Sequence, residues 1–120
     1  MPVPRVIFDR VRDEINRELA EWVGRLVAEL RPQRILLFGS AARDEAGEDS
    51  DIDLCVIAET ELGFFERIAK VKGLYKGKRM VEVVVYTPEE WQQMLEEGRD
   101  FVRTIASEGR VLYEAVNAGP

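Results

Sequence analysis

The chain has 120 residues, 46% of them hydrophobic and 33% charged, with a formal net charge of -6. This is enough apolar material for one domain with its own core, and the acidic balance argues against direct nucleic-acid binding driven by phosphate attraction. Histidine is absent and cysteine occurs once, which excludes Ser-His and Cys-His nucleophile pairs, the common zinc sites and an internal disulfide. No apolar run is long enough for a membrane span or a signal peptide, so a cytoplasmic protein without membrane contact is expected.

In chain order, Ile7, Val11, Ile15, Leu19, Trp22, Val23, Leu26, Val27 and Leu30 recur at helical spacing, which predicts a long amphipathic helix over 5–30 closed by Pro32. Gly24 inside it marks either a close packing point or a break. Arg34 to Phe38 is short and apolar, a buried strand entering a turn at Gly39-Ser40. The polar stretch 43–50 reads as a loop. Asp51 to Ile57 alternates and then turns wholly apolar, a second strand. Phe64, Phe65, Ile68, Val71 and Leu74 form a helical stripe, and 76–79 a turn. The valine-rich segment from Met80 to Tyr86 is a third strand. Thr87-Pro88-Glu89-Glu90 is a helix start with a capping box. Helices to about Gly98 and over 100–108 precede a short strand at 110–113, and the tail 117–120 reads as frayed. The whole predicts an α/β (α+β) domain with a small mixed sheet flanked by helices. Its catalytic core lies at about 34–90, and its C-terminal helices and strand span 88–114.

The chemistry concentrates in Ser50-Asp51-Ile52-Asp53-Leu54. On a strand, Asp51 and Asp53 point to one face about 7 Å apart, while Ile52, Leu54 and Val56 enter the core. Adjacent carboxylates repel, and a divalent cation between them removes that cost. Carboxylate oxygen is the ligand type that magnesium prefers. Glu82 stands off one face of the third strand and makes a third carboxylate for metal-assisted displacement. Gly39-Ser40 complements the acids: glycine admits close approach of a ligand, and backbone N–H groups with a hydroxyl cradle phosphate oxygens.

Three segments together resemble the minimal nucleotidyltransferases, a small branch of the DNA polymerase β superfamily. They are Phe38-Gly39-Ser40-Ala41-Ala42-Arg43, Ser50-Asp51-Ile52-Asp53-Leu54 and Val81-Glu82-Val83-Val84-Val85. The resemblance implies a palm-like nucleotidyltransferase fold with a triphosphate, ATP or another, held at Gly39, Ser40 and Arg43. It implies two magnesium ions on Asp51 and Asp53, and Glu82 as the third acid beside the acceptor hydroxyl. It also implies transfer of AMP to a HEPN-domain partner in a toxin–antitoxin module. The family usually carries aspartate at the position of Glu82 and often glycine at that of Asp44.

Other readings accompany this one. A calcium loop beginning at Asp49 fails because Leu54 and Thr60 stand where glycine and glutamate are required. Cys55, on the face of Asp51 and Asp53, reads as a small buried hydrophobe. The basic residues Arg67, Lys70, Lys72, Lys76, Lys78 and Arg79 either neutralise phosphate, dock an acidic partner or form a solvated helix face. A non-catalytic binding antitoxin and a small-molecule nucleotidyltransferase are the alternative functions. The acceptor site is expected to be completed by a partner or a second copy.

Overall fold

The computed structural model describes residues 13–42 and 51–116. The first helix, α1, runs Asp13–Leu30 without interruption, so Gly24 breaks nothing. A Cβ there would meet nothing within 4 Å, and Gly24 is not a packing point either. The expected first turns at 5–12, the loop at 43–50 with Arg43, Asp44 and Asp49, and the tail at 117–120 lie outside the described residues.

After α1 come β1 (Arg34–Phe38), α2 (Gly39–Ala42), β2 (Ile52–Ile57), α3 (Phe64–Gly73), β3 (Val81–Tyr86), α4 (Pro88–Glu96), α5 (Asp100–Glu108) and β4 (Arg110–Glu114). Each expected element is present, although β2 and β3 each begin one residue later than the alternation suggested. Asp51 therefore stands just ahead of its strand. The four-stranded sheet has the order β3-β2-β1-β4. The β1–β2 and β1–β4 pairs are antiparallel and β2–β3 is parallel, which makes the sheet mixed. The parallel pair requires a crossover, and α3 supplies it.

Strand alternation sends the two sets of side chains into separate cores. On one face, Ile52, Leu54, Val56, Val83 and Val85 pack with Leu19, Trp22, Val23 and Leu26 of α1 and Val71 of α3. Trp22 is fully buried. Its indole Nε1 donates to the Val71 carbonyl at 3.0 Å, which satisfies the polar handle of the ring. On the other face, Leu36, Cys55 and Ile57 meet Trp91 of α4 and Val102 and Ile105 of α5 in a smaller core. The α4 start forms as the sequence predicts. Glu90 N donates to Thr87 Oγ1 at 3.1 Å, and Thr87 N donates to Glu90 Oε1 at 2.9 Å.

The basic run divides. The Arg67 guanidinium donates to Glu90 at 2.7 Å and to the Leu62 carbonyl at 2.8 Å. Arg79 pairs with Glu18 and Glu14 of α1 at 3.7 and 3.9 Å. Both arginines are structural ties, whereas Lys70, Lys72, Lys76 and Lys78 are exposed. The lysines of α3 stand on the side of the sheet that carries Leu54, away from the acidic face.

Candidate active site

Register lines up the site. Phe38 of β1 pairs with Asp53 of β2, and Asp53 pairs with Glu82 of β3. Directly paired residues project to the same face, so Phe38, Asp53 and Glu82 form one row across three strands. The next row toward the protein interior is Leu36, Cys55 and Val84, and α4 and α5 cover it. They stop short of the acidic row: Asp53 is half-buried and Glu82 is exposed. Asp51 lies exposed one step further out, beside Met80, whose carbonyl accepts the Ile52 N–H at 3.0 Å.

Gly39 follows Phe38 directly and has φ of 73°, a left-handed conformation costly for any side chain with a Cβ. Its surroundings add a second reason for glycine. A Cβ would fall on the Asp53 carboxylate, onto Oδ2 and within 3.0 Å of Cγ. The turn thus lies against the carboxylate, and Ser40 follows it at the start of α2. That helix has only four residues. Any anion bound there is held by local N–H and hydroxyl groups rather than by a sizeable macrodipole.

The structure therefore brings together Gly39, Ser40, Asp53 and Glu82, with Asp51 at the edge; Arg43 lies outside the described residues. Among those residues no group of three acidic, cysteine or histidine side chains is poised to hold a metal ion. The donor set nonetheless fits magnesium, which is bound by oxygen ligands and commonly takes only one or two carboxylates together with substrate phosphates. The missing side chain at Gly39 lets the Asp53 carboxylate lie beside the turn, which suits such a shared site.

Cys55 plays no part in this chemistry. It is fully buried, and burial pushes its thiol up to about 12, which leaves no thiolate to react.

The sequence profile of the nucleotidyltransferase domain matches residues 12–113. The chain belongs to the nucleotidyltransferase-domain family. It is 29% identical over 103 residues to a protein of Methanocaldococcus jannaschii that carries the provisional name protein adenylyltransferase MJ0604, covering 86% of this chain and 94% of that one. Two crystal structures share the fold. A provisionally assigned nucleotidyltransferase from Sulfolobus solfataricus superposes with a TM-score of 0.59 at 20% identity, over 82% of this chain and 78% of its own. A toxin–antitoxin structure with AMP-PNP superposes with a TM-score of 0.50 at 20% identity, over 78% and 72%. This nucleotidyltransferase is accordingly an enzyme of the transferase class, and its resemblance to the minimal branch holds.

One aromatic beside the site escaped the sequence. Phe101 of α5 contacts Phe38 edge-to-face, with ring centroids 5.7 Å apart and planes at 88°. Its position off the Val102–Ile105 stripe of an amphipathic helix was the available signal.

Proposed function

We propose that the enzyme transfers AMP from ATP to a hydroxyl of a partner protein, as the antitoxin half of a HEPN-type toxin–antitoxin pair. The observation that supports this most is the glycine turn at Gly39 lying against Asp53 in one row with Glu82. That arrangement joins a phosphate cradle to carboxylates on a half-open sheet edge. The name of the Methanocaldococcus relative, a protein adenylyltransferase, supports a protein acceptor, and the toxin–antitoxin structure with AMP-PNP supports a nucleotide in a toxin–antitoxin setting.

In this reading Gly39 and Ser40, with Arg43, hold the triphosphate. Asp51, Asp53 and Glu82 would hold magnesium, which when bound neutralises phosphate charge and polarises the transferred group. The acceptor oxygen attacks the α-phosphorus and forms a phosphoester. The α–β anhydride bond breaks and pyrophosphate departs. Glu82 is exposed and so open to an incoming hydroxyl; it aligns that hydroxyl and accepts its proton. Asp53, held by its strand beside the Gly39 turn, fixes the phosphate end. Much of the rate then comes from positioning two reactants in one frame.

The test is incubation with labelled ATP, magnesium and the protein encoded beside this gene, followed by intact-mass analysis. A gain of one AMP mass on the partner, lost in Asp53→Asn, is expected. Neutralisation of the partner with no mass gain would select a binding antitoxin instead.

A further inference from the structure

The second core closes without help from Phe101. Val102 and Ile105, each 1% exposed, provide the apolar face of α5, while Phe101 keeps 49% of its surface open. A large apolar ring in water is a cost that folding alone does not explain, although single exposed apolar residues are common enough to need a second observation. Here the second observation is position. Phe101 is braced against Phe38, and Phe38 is both the sheet partner of Asp53 and the residue before Gly39. The open ring thus reaches, through Phe38, the strand end that carries both the phosphate turn and the acidic row.

The other exposed aromatic pair, Phe64 and Phe65, does not share this position. Phe64 lines a cavity of about 420 Å³ with Tyr86 and Met94. Tyr86 is four residues along β3 from Glu82, roughly 13 Å away at the rise of a strand. Among the described residues, Phe101 is therefore the exposed ring that reaches this row, through Phe38.

We propose that Phe101, held in place by Phe38, is the stacking platform for the base of the bound nucleoside triphosphate. This rests on the triphosphate occupying the Gly39–Ser40 turn as proposed above. A nucleotide anchored there by its phosphates projects its ribose and base away from the turn, and a ring one side chain removed from Gly39 offers a flat apolar surface for the base. Every base has a π-face, so such a platform strengthens binding with little choice among bases. It also explains why an aromatic ring stands at a solvent-exposed position.

Calorimetric titration of wild type, Phe101→Ala, Phe101→Leu and Phe101→Trp, each with ATP and with inorganic tripolyphosphate in the presence of magnesium, tests this. Stacking predicts that Ala and Leu weaken ATP binding about tenfold or more and that Trp keeps it. Tripolyphosphate, which has no base, should bind all four proteins alike. Unchanged ATP affinity in Phe101→Ala overturns the platform, as does full affinity in Phe101→Leu, which would show that apolar bulk suffices. An equal loss for both ligands also overturns it, because the effect would then lie in the phosphate turn. Failure of the wild type to bind either ligand strikes the functional reading itself, whereas tight tripolyphosphate binding with no Phe101 effect strikes only the platform.

Discussion

On the α1–α3 face of the sheet, Ile52, Leu54 and Val56 are each fully buried beneath Trp22, Leu19 and Leu26. On the α4–α5 face, cover extends over Leu36, Cys55 and Ile57, reaches Phe38 through Phe101 of α5, and ends before Asp53 and Glu82. The same three strands serve both faces. Alternation lets a single residue step separate a side chain that holds the fold from one that does chemistry, so Ile52 and Leu54 flank Asp53 without sharing its surroundings. Closing one face completely allows the other to be left partly open.

That division can be broken from either side. The largest effect on function is expected from Asp53→Asn, which should reduce transfer by on the order of 10²–10³-fold. The melting temperature should be unchanged or raised, because one like charge leaves the acidic row. Parallel transfer assays and calorimetry check this, and a collapse of the fold would show that Asp53 is structural. The largest effect on stability is expected from Trp22→Ala on the closed face, about 3–5 kcal/mol out of the 5–15 kcal/mol typical of a domain. Urea unfolding measures it. A variant that remains as stable as wild type would deny α1 its place in the main core.

Gly39→Ala sharpens the comparison at the boundary. By the sequence alone, a side chain here blocks the close approach of a ligand. The structure adds left-handed strain of about 1–2 kcal/mol and displacement of the Asp53 carboxylate. Both a lower midpoint in urea and weaker ATP binding are therefore expected, and loss of either one alone would separate strain from the cradle.

A smaller effect is expected from pH. The hydrogen bond from Arg67 holds the Glu90 carboxyl below its ordinary value of 4.5. A carboxylate lowered in the folded state contributes stability above its unfolded value and loses it as pH falls through the folded one. The glutamate side chain is 44% exposed, so solvent screening limits the contribution to about 1 kcal/mol or less. Urea midpoints from pH 7 down to pH 3 should fall less steeply in Glu90→Gln than in wild type. The smallest change is expected at Cys55: at pH 8 a thiol reagent should modify it only after denaturation, and rapid labelling of the native protein would contradict its burial.

Much of this was legible in the residues. The capping box at Thr87–Glu90 identifies its helix from local chemistry, because all its partners lie within one turn. The Asp51–Asp53 spacing and the isolated Glu82 mark one acidic face through alternation alone. Gly24 misled because a glycine signals permission, not need, and in the middle of a packed helix none was exercised. The basic run was ambiguous because charge does not reveal whether a guanidinium will find a carbonyl and a glutamate, as Arg67 does, or stay in water, as Lys70 does.

The sequence by itself determined the element types, their order, and which side chains alternate or recur toward a core, since these follow from periodicity and nearest neighbours. Only the tertiary structure decided that Phe38, Asp53 and Glu82 stand in one row, because strand register joins residues far apart in the chain. It also decided that Gly39 lies against Asp53 and that Phe101 borders the site. No local pattern encodes those approaches, which depend on how α5 settles on β1 and on where the two helices of the open face end.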